Sequence, residues 1–132
     1  MGVAKKGRRK ITVNGRSFVW FITDRQEVGF YRLPEGRVLL LFLLVHILSE
    51  DKKFNVTYAL GQENLPEPYL PHLFVLGHEF PGLSKPGKTI ATPRWNDSTP
   101  SNRFIRQVIL WCLDEFKAVI EVDSQGKPLA VS

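Results

Sequence analysis

Residues Val38 to Leu48 form an unbroken apolar run of 11 residues, interrupted in character only by His46. This run constrains the chain more than any other segment. A membrane-crossing helix needs roughly 20 apolar residues, so the run is too short for that role and has to be covered by the chain's own core. Its leucines favour a helix, and periodicity is silent where every position is apolar. The context decides for a strand. Glu50-Asp51-Lys52-Lys53 makes a compact polar turn, and Phe54 to Leu60 then alternates as a half-buried strand does. Two strands so close in sequence pair as a hairpin.

A second hairpin precedes it. Ile11-Thr12-Val13 is β-branched, Asn14-Gly15 is the dipeptide suited to a two-residue turn with positive φ, and Arg16 to Thr23 returns. Asp24 to Gly36 mixes charges with Pro34 and two glycines and reads as a loop. Further on, Pro66, Pro68 and Pro71 mark a loop, His72 to Gly77 a short central strand, His78 to Lys88 another loop, and Thr89 to Thr92 a short strand.

Ser98-Thr99-Pro100 then has the form of a helix start, a hydroxyl cap with proline in the first turn. Phe104, Ile105, Val108, Ile109, Trp111, Cys112, Leu113 and Phe116 share one face at helical spacing. Arg103, Arg106, Gln107, Leu110, Asp114 and Lys117 lie opposite. Ala118 to Val122 reads as a strand, and Pro128 to Val131 as an edge. The expectation is an α+β fold: a mainly antiparallel sheet with one long amphipathic helix, about 100–117, packed on one face. At 132 residues there is room for one such core, over residues 10–132, preceded by a flexible basic arm, residues 1–9.

The formal charge of +5 is concentrated in that arm. Lys5, Lys6, Arg8, Arg9 and Lys10 account for it, and the remaining 13 basic residues are matched by 13 acidic ones. The arm is a candidate for binding a nucleic-acid backbone, against the plainer role of a solvated terminus. No apolar stretch follows it, so the reading is a soluble, intracellular protein in the cytoplasm, with no membrane partner. A lone cysteine, Cys112, excludes an internal disulfide and a multi-cysteine zinc site. Placed mid-helix on the apolar face, it reads as an inert buried thiol.

Motifs that carry chemistry are scarce. There is no phosphate-binding glycine loop, dinucleotide fingerprint or nucleophile elbow. His72 and His78 are separated by roughly 20 Å along a strand, too far to share a metal. No metal, cofactor or catalytic residue is expected. One placement breaks a local rule. Arg103 and Arg106 sit where the helix dipole disfavours cations. With Arg94, Ser98, Thr99 and Ser101 they outline a candidate anion site. The competing account pairs these arginines with Asp97 and other acids. Trp95, in the loop before the helix, is expected to pack over the helix start. Three functions remain open: a non-enzymatic protein–protein interaction module, with an unknown protein partner or as a homodimer; an anion or nucleic-acid backbone binder; and an enzyme built around His78, Glu79, Arg94 and Asp97.

Overall fold

In the computed structural model, residues 7–97 and 99–129 are described, with residues 24–28 and 30 described by their backbone alone. Seven strands of the described residues form one sheet in chain order, every neighbour antiparallel. They are β1 (Arg9–Val13), β2 (Arg16–Leu33), β3 (Gly36–Ser49), β4 (Asn55–Leu60), β5 (His72–Val75), β6 (Lys88–Ala91) and β7 (Glu121–Val122). Among the described residues there is one α-helix, α1 (Asn102–Leu113), which covers part of one face. The mainly antiparallel α+β architecture read from the sequence is therefore what the chain forms. Among the described residues no helix is long and apolar enough to cross a membrane.

The two hairpins form for the reasons the residues suggest. Asn14 and Gly15 both take positive φ, 51° and 78°, and close β1 on β2 with Val13 opposite Arg16. The apolar run lies in β3, and the turn after it returns β4 with Leu48 opposite Asn55. Alternate residues of β1 to β6 then point to one side: Ile11 and Val13, Phe18 and Trp20, Val45 and Ile47, Val56 and Tyr58, Leu73 and Val75, and Ile90. Together with Phe104, Ile105, Val108, Ile109 and Cys112 of α1 they make the main core. Trp95 packs there too, edge-on to Tyr58, Phe104 and Trp111.

Three expectations are corrected. Residues 24–36 are largely strand: β2 runs on to Leu33, and its pairing with β3 resumes at Gln26 opposite Leu43 after an irregularity that begins past Ile22. The two extra residues on β2 are an even number, so the alternation stays in phase across the irregularity, and it is the charges, glycines and Pro34 of this segment that make it read as a loop. The helix is 12 residues long, shorter than the expected 100–117. It starts later because Ser101 accepts the capping bond from the Phe104 amide, at 3.2 Å. It stops earlier because Asp114 turns to extended backbone and its carboxylate takes the Phe116 amide instead. Phe116, assigned to the apolar face, is 94% exposed as a result. Finally, of Ala118 to Val122 only Glu121–Val122 is strand.

Beyond the helix, the distal half of the β2–β3 hairpin builds a second, smaller core. Tyr31 and Phe42 pack with Leu65 and Tyr69 from the loop after β4. The Tyr69 hydroxyl accepts from the Arg32 amide and donates to the Arg32 carbonyl, at 2.9 and 3.1 Å.

Candidate functional site

Strand alternation gives the distal hairpin an inner and an outer face. Val38, Leu40 and Phe42 point inward to the second core. Leu39, Leu41 and Leu43 point outward, on the same side of β3 as Val45 and Ile47, which α1 covers. The helix does not extend over them. Leu39 is 52% exposed, Leu41 56% and Leu43 38%. A core-like face thus continues past the end of its cover. Scattered exposed leucines need no explanation, but three successive outward positions of one strand form a contiguous apolar ridge.

The opposite side of the sheet carries a cavity of about 700 Å³, walled by β3, β4, β5 and β6 and overhung by Tyr31 and Phe42. His46 lines it. Its ring stacks on Phe21 with centroids 5.0 Å apart, and its Nδ1 lies 3.0 Å from the Thr57 hydroxyl. Burial lowers the imidazole pKa from its ordinary value. Sequence reasoning missed this cavity, since its wall residues come from five strands, β2 to β6, and no motif joins them.

The candidate anion site is brought together only in part. Thr99, Ser101 and Arg103 line one groove of about 510 Å³, with Asn96 and Gln107. Arg94 is engaged elsewhere: its guanidinium donates to the carbonyls of Gln62, Glu63 and Leu65, at 3.3, 3.0 and 3.1 Å. Arg106 is exposed on α1 and does not line the groove. Ser98 lies outside the described residues. The Ser101 oxygen is already spent on the helix cap.

Asp97 is not a counter-ion for these arginines by any direct bond. It is 2% exposed and ties the start of the 3-10 turn Gln62–Asn64 to β4. Its carboxylate accepts from the Tyr58 hydroxyl at 2.7 Å and from the amides of Gly61, Gln62 and Glu63 at 3.1, 2.9 and 3.3 Å. Burial and the adjacent Asp97 charge raise the Tyr58 pKa far above its usual range. The set His78, Glu79, Arg94 and Asp97 does not form a shared site. Glu79 is held by Arg16 through two bonds, at 2.7 and 2.5 Å, which lower its carboxyl pKa. His78 is exposed.

The basic arm divides. Lys5 and Lys6 lie outside the described residues. Arg8 sits over the Phe21 ring at 4.8 Å, Arg9 over Trp20 at 5.5 Å, and Arg9 and Lys10 open β1. The sheet therefore begins one residue before the boundary drawn at residue 10. Cys112 is fully buried, and burial pushes its thiol pKa up, as its place on the apolar face implies. Among the described residues no three His, Cys, Asp or Glu side chains are grouped so as to hold a metal ion.

Comparison with known proteins adds no further constraint: no family model, no curated protein and no solved structure matches the chain.

Proposed function

We propose that this chain is a non-enzymatic contact module that self-associates through the outer face of the β2–β3 hairpin. The observation that carries the reading is the exposed ridge of Leu39, Leu41 and Leu43. On this face the sheet has lost its helix cover while keeping the side chains that a cover would bury. The row of three leucines, with Arg37 beyond its distal end on the same side of β3, is complementary along its aliphatic length to another of the same kind. A twofold axis brings the same patch from two copies together, each leucine row packing into the other. The patch is small against the ~800 Å² that each partner contributes to a standard interface, so the association is weak and concentration-dependent.

Sedimentation equilibrium over a wide range of protein concentration tests it. The expected result is an average mass that rises from monomer towards dimer, and Leu41→Asp holding the protein at monomer mass with an unchanged melting temperature. A wild-type protein that remains monomeric at the highest concentration overturns the reading.

A second reading, binding of an anion or nucleic-acid backbone, is favoured by one observation: Thr99, Ser101 and Arg103 share a groove at the helix start. Against it stands the commitment of Arg94 to three carbonyls. Titration with inorganic phosphate, and separately with a short oligonucleotide, discriminates. Site binding is lost in Arg103→Ala. Binding through the arm survives that change, and is lost when Lys5, Lys6, Arg8, Arg9 and Lys10 are neutralised.

A further inference from the structure

The cavity on the helix-free side of the sheet plays no part in the hairpin contact. Its volume of about 700 Å³ lies within the range that holds a drug-sized molecule, roughly 300–1,000 Å³. Leu44, Ala59, Phe74 and the overhanging Tyr31 and Phe42 make most of its wall apolar, and no Lys, Arg, Asp or Glu is among the residues that line it. An ionic ligand would enter without a counter-charge, at a desolvation cost the site does nothing to offset.

A second, independent observation comes from His46 in the same wall. Its Nδ1 is satisfied by Thr57, but its Nε2 is buried and has no hydrogen-bond partner. Buried polar atoms are almost always paired, so an unpaired one in a residue of the cavity wall marks a place where a partner belongs, and a ligand reaches this one only once the side chains that close over Nε2 shift. The Thr57 hydroxyl can donate to Nδ1 or accept from it, so the imidazole can present Nε2 as donor or as acceptor.

We propose that this cavity binds a neutral, largely apolar small molecule carrying one hydrogen-bonding group, which pairs with His46. The apolar body lies against Leu44, Ala59 and Phe74, under Tyr31 and Phe42. Specificity for a neutral head over a carboxylate follows from the uncharged wall.

The test uses the full chain and the neutral fluorophore N-phenyl-1-naphthylamine, with 1-dodecanol and dodecanoate as competitors. The expected result is saturable one-to-one binding, displaced by dodecanol at a concentration at least tenfold below that needed for dodecanoate. Ala59→Trp fills the cavity from β4 and weakens the fluorophore by tenfold or more. Thr89→Trp does the same from β6, and decides the matter where the first variant fails to fold. His46→Phe keeps the ring stack on Phe21 and narrows the preference for dodecanol over a plain alkane of equal length. Absence of saturable binding overturns the proposal, as do two folded tryptophan variants that bind like wild type. Equal displacement by dodecanoate overturns the neutral class. Binding abolished by Leu41→Asp and untouched by the tryptophans places the fluorophore on the outer leucines, and overturns the cavity while leaving the self-association reading to its own experiment.

Discussion

Asp97 shows how one buried carboxylate organises a loop. Four donors converge on it, the Tyr58 hydroxyl and three successive amides, so it satisfies the start of the 3-10 turn that no other side chain caps. Asp97→Ala leaves the Tyr58 hydroxyl and the Gln62 amide buried and unpaired, and strips the part-buried Gly61 and Glu63 amides of their acceptor. The expected loss is about 3 kcal/mol, read by urea unfolding, with a smaller loss for Asp97→Asn, which keeps one acceptor oxygen. The histidines make a pH prediction of definite sign. Burial holds His46 and His72 below the ordinary value of 6.5. As pH falls below 6.5 the unfolded chain takes up protons that the native state refuses. The stability these residues contribute is complete above 6.5, and is lost as pH drops towards their folded values. Glu79, held down by its bonds from Arg16, titrates below its usual 4.5 and keeps out of this window. Urea midpoints measured from pH 7 to pH 5 should therefore decline, and His46→Phe should flatten part of that slope. A midpoint constant across the interval would contradict the burial argument.

At the scale of elements, what the sequence reveals depends on whether a signal is local. Asn14-Gly15 sets its own backbone, and the turn forms where it stands. The apolar spacing of Phe104, Ile105, Val108, Ile109 and Cys112 shows the helix and its buried face. Its ends were misplaced because three hydroxyl residues compete for the cap, and because Asp114 diverts the chain through a bond to Phe116 that no periodicity records. The distal half of β2 is hidden by its charges and by Gly29 and the nearby Pro34, which carry the composition of a loop into a strand. The candidate site was legible only as the Thr99, Ser101 and Arg103 fragment. The cavity depends on register between five strands, and the bonds that remove Arg94 come from a loop some 30 residues earlier. The cap carries a prediction. Ser101→Ala loses the bond to the Phe104 amide, and should cost about 1 kcal/mol by thermal or urea unfolding. The equivalent change at Thr99 should cost less than a few tenths, roughly the scatter of surface substitutions.

The molecule as a whole has two packed clusters that share β3. The main one lies between the sheet and α1. The other holds Tyr31, Phe42, Leu65 and Tyr69 beneath the distal hairpin. Their sizes differ, so their contributions to stability should separate. Ile109 is fully buried against the sheet, and Ile109→Ala should lower global stability by about 2–5 kcal/mol. Tyr69 braces only the hairpin, through its ring against Tyr31 and its hydroxyl on Arg32. Tyr69→Ala should leave the amides of β4 and β5 protected and speed hydrogen exchange in the distal parts of β2 and β3, a sub-global opening rather than unfolding. The proposed self-association would act on the same segment from its outer face. Raising the concentration of wild-type protein should slow exchange at Gly29–Leu33 and Gly36–Phe42 while β4, β5 and α1 exchange at unchanged rates. Leu41→Asp should remove that concentration dependence without altering the rates measured in dilute solution. Protection spread evenly over the whole sheet would mean that copies meet elsewhere, and that the outer leucines are bystanders to the contact.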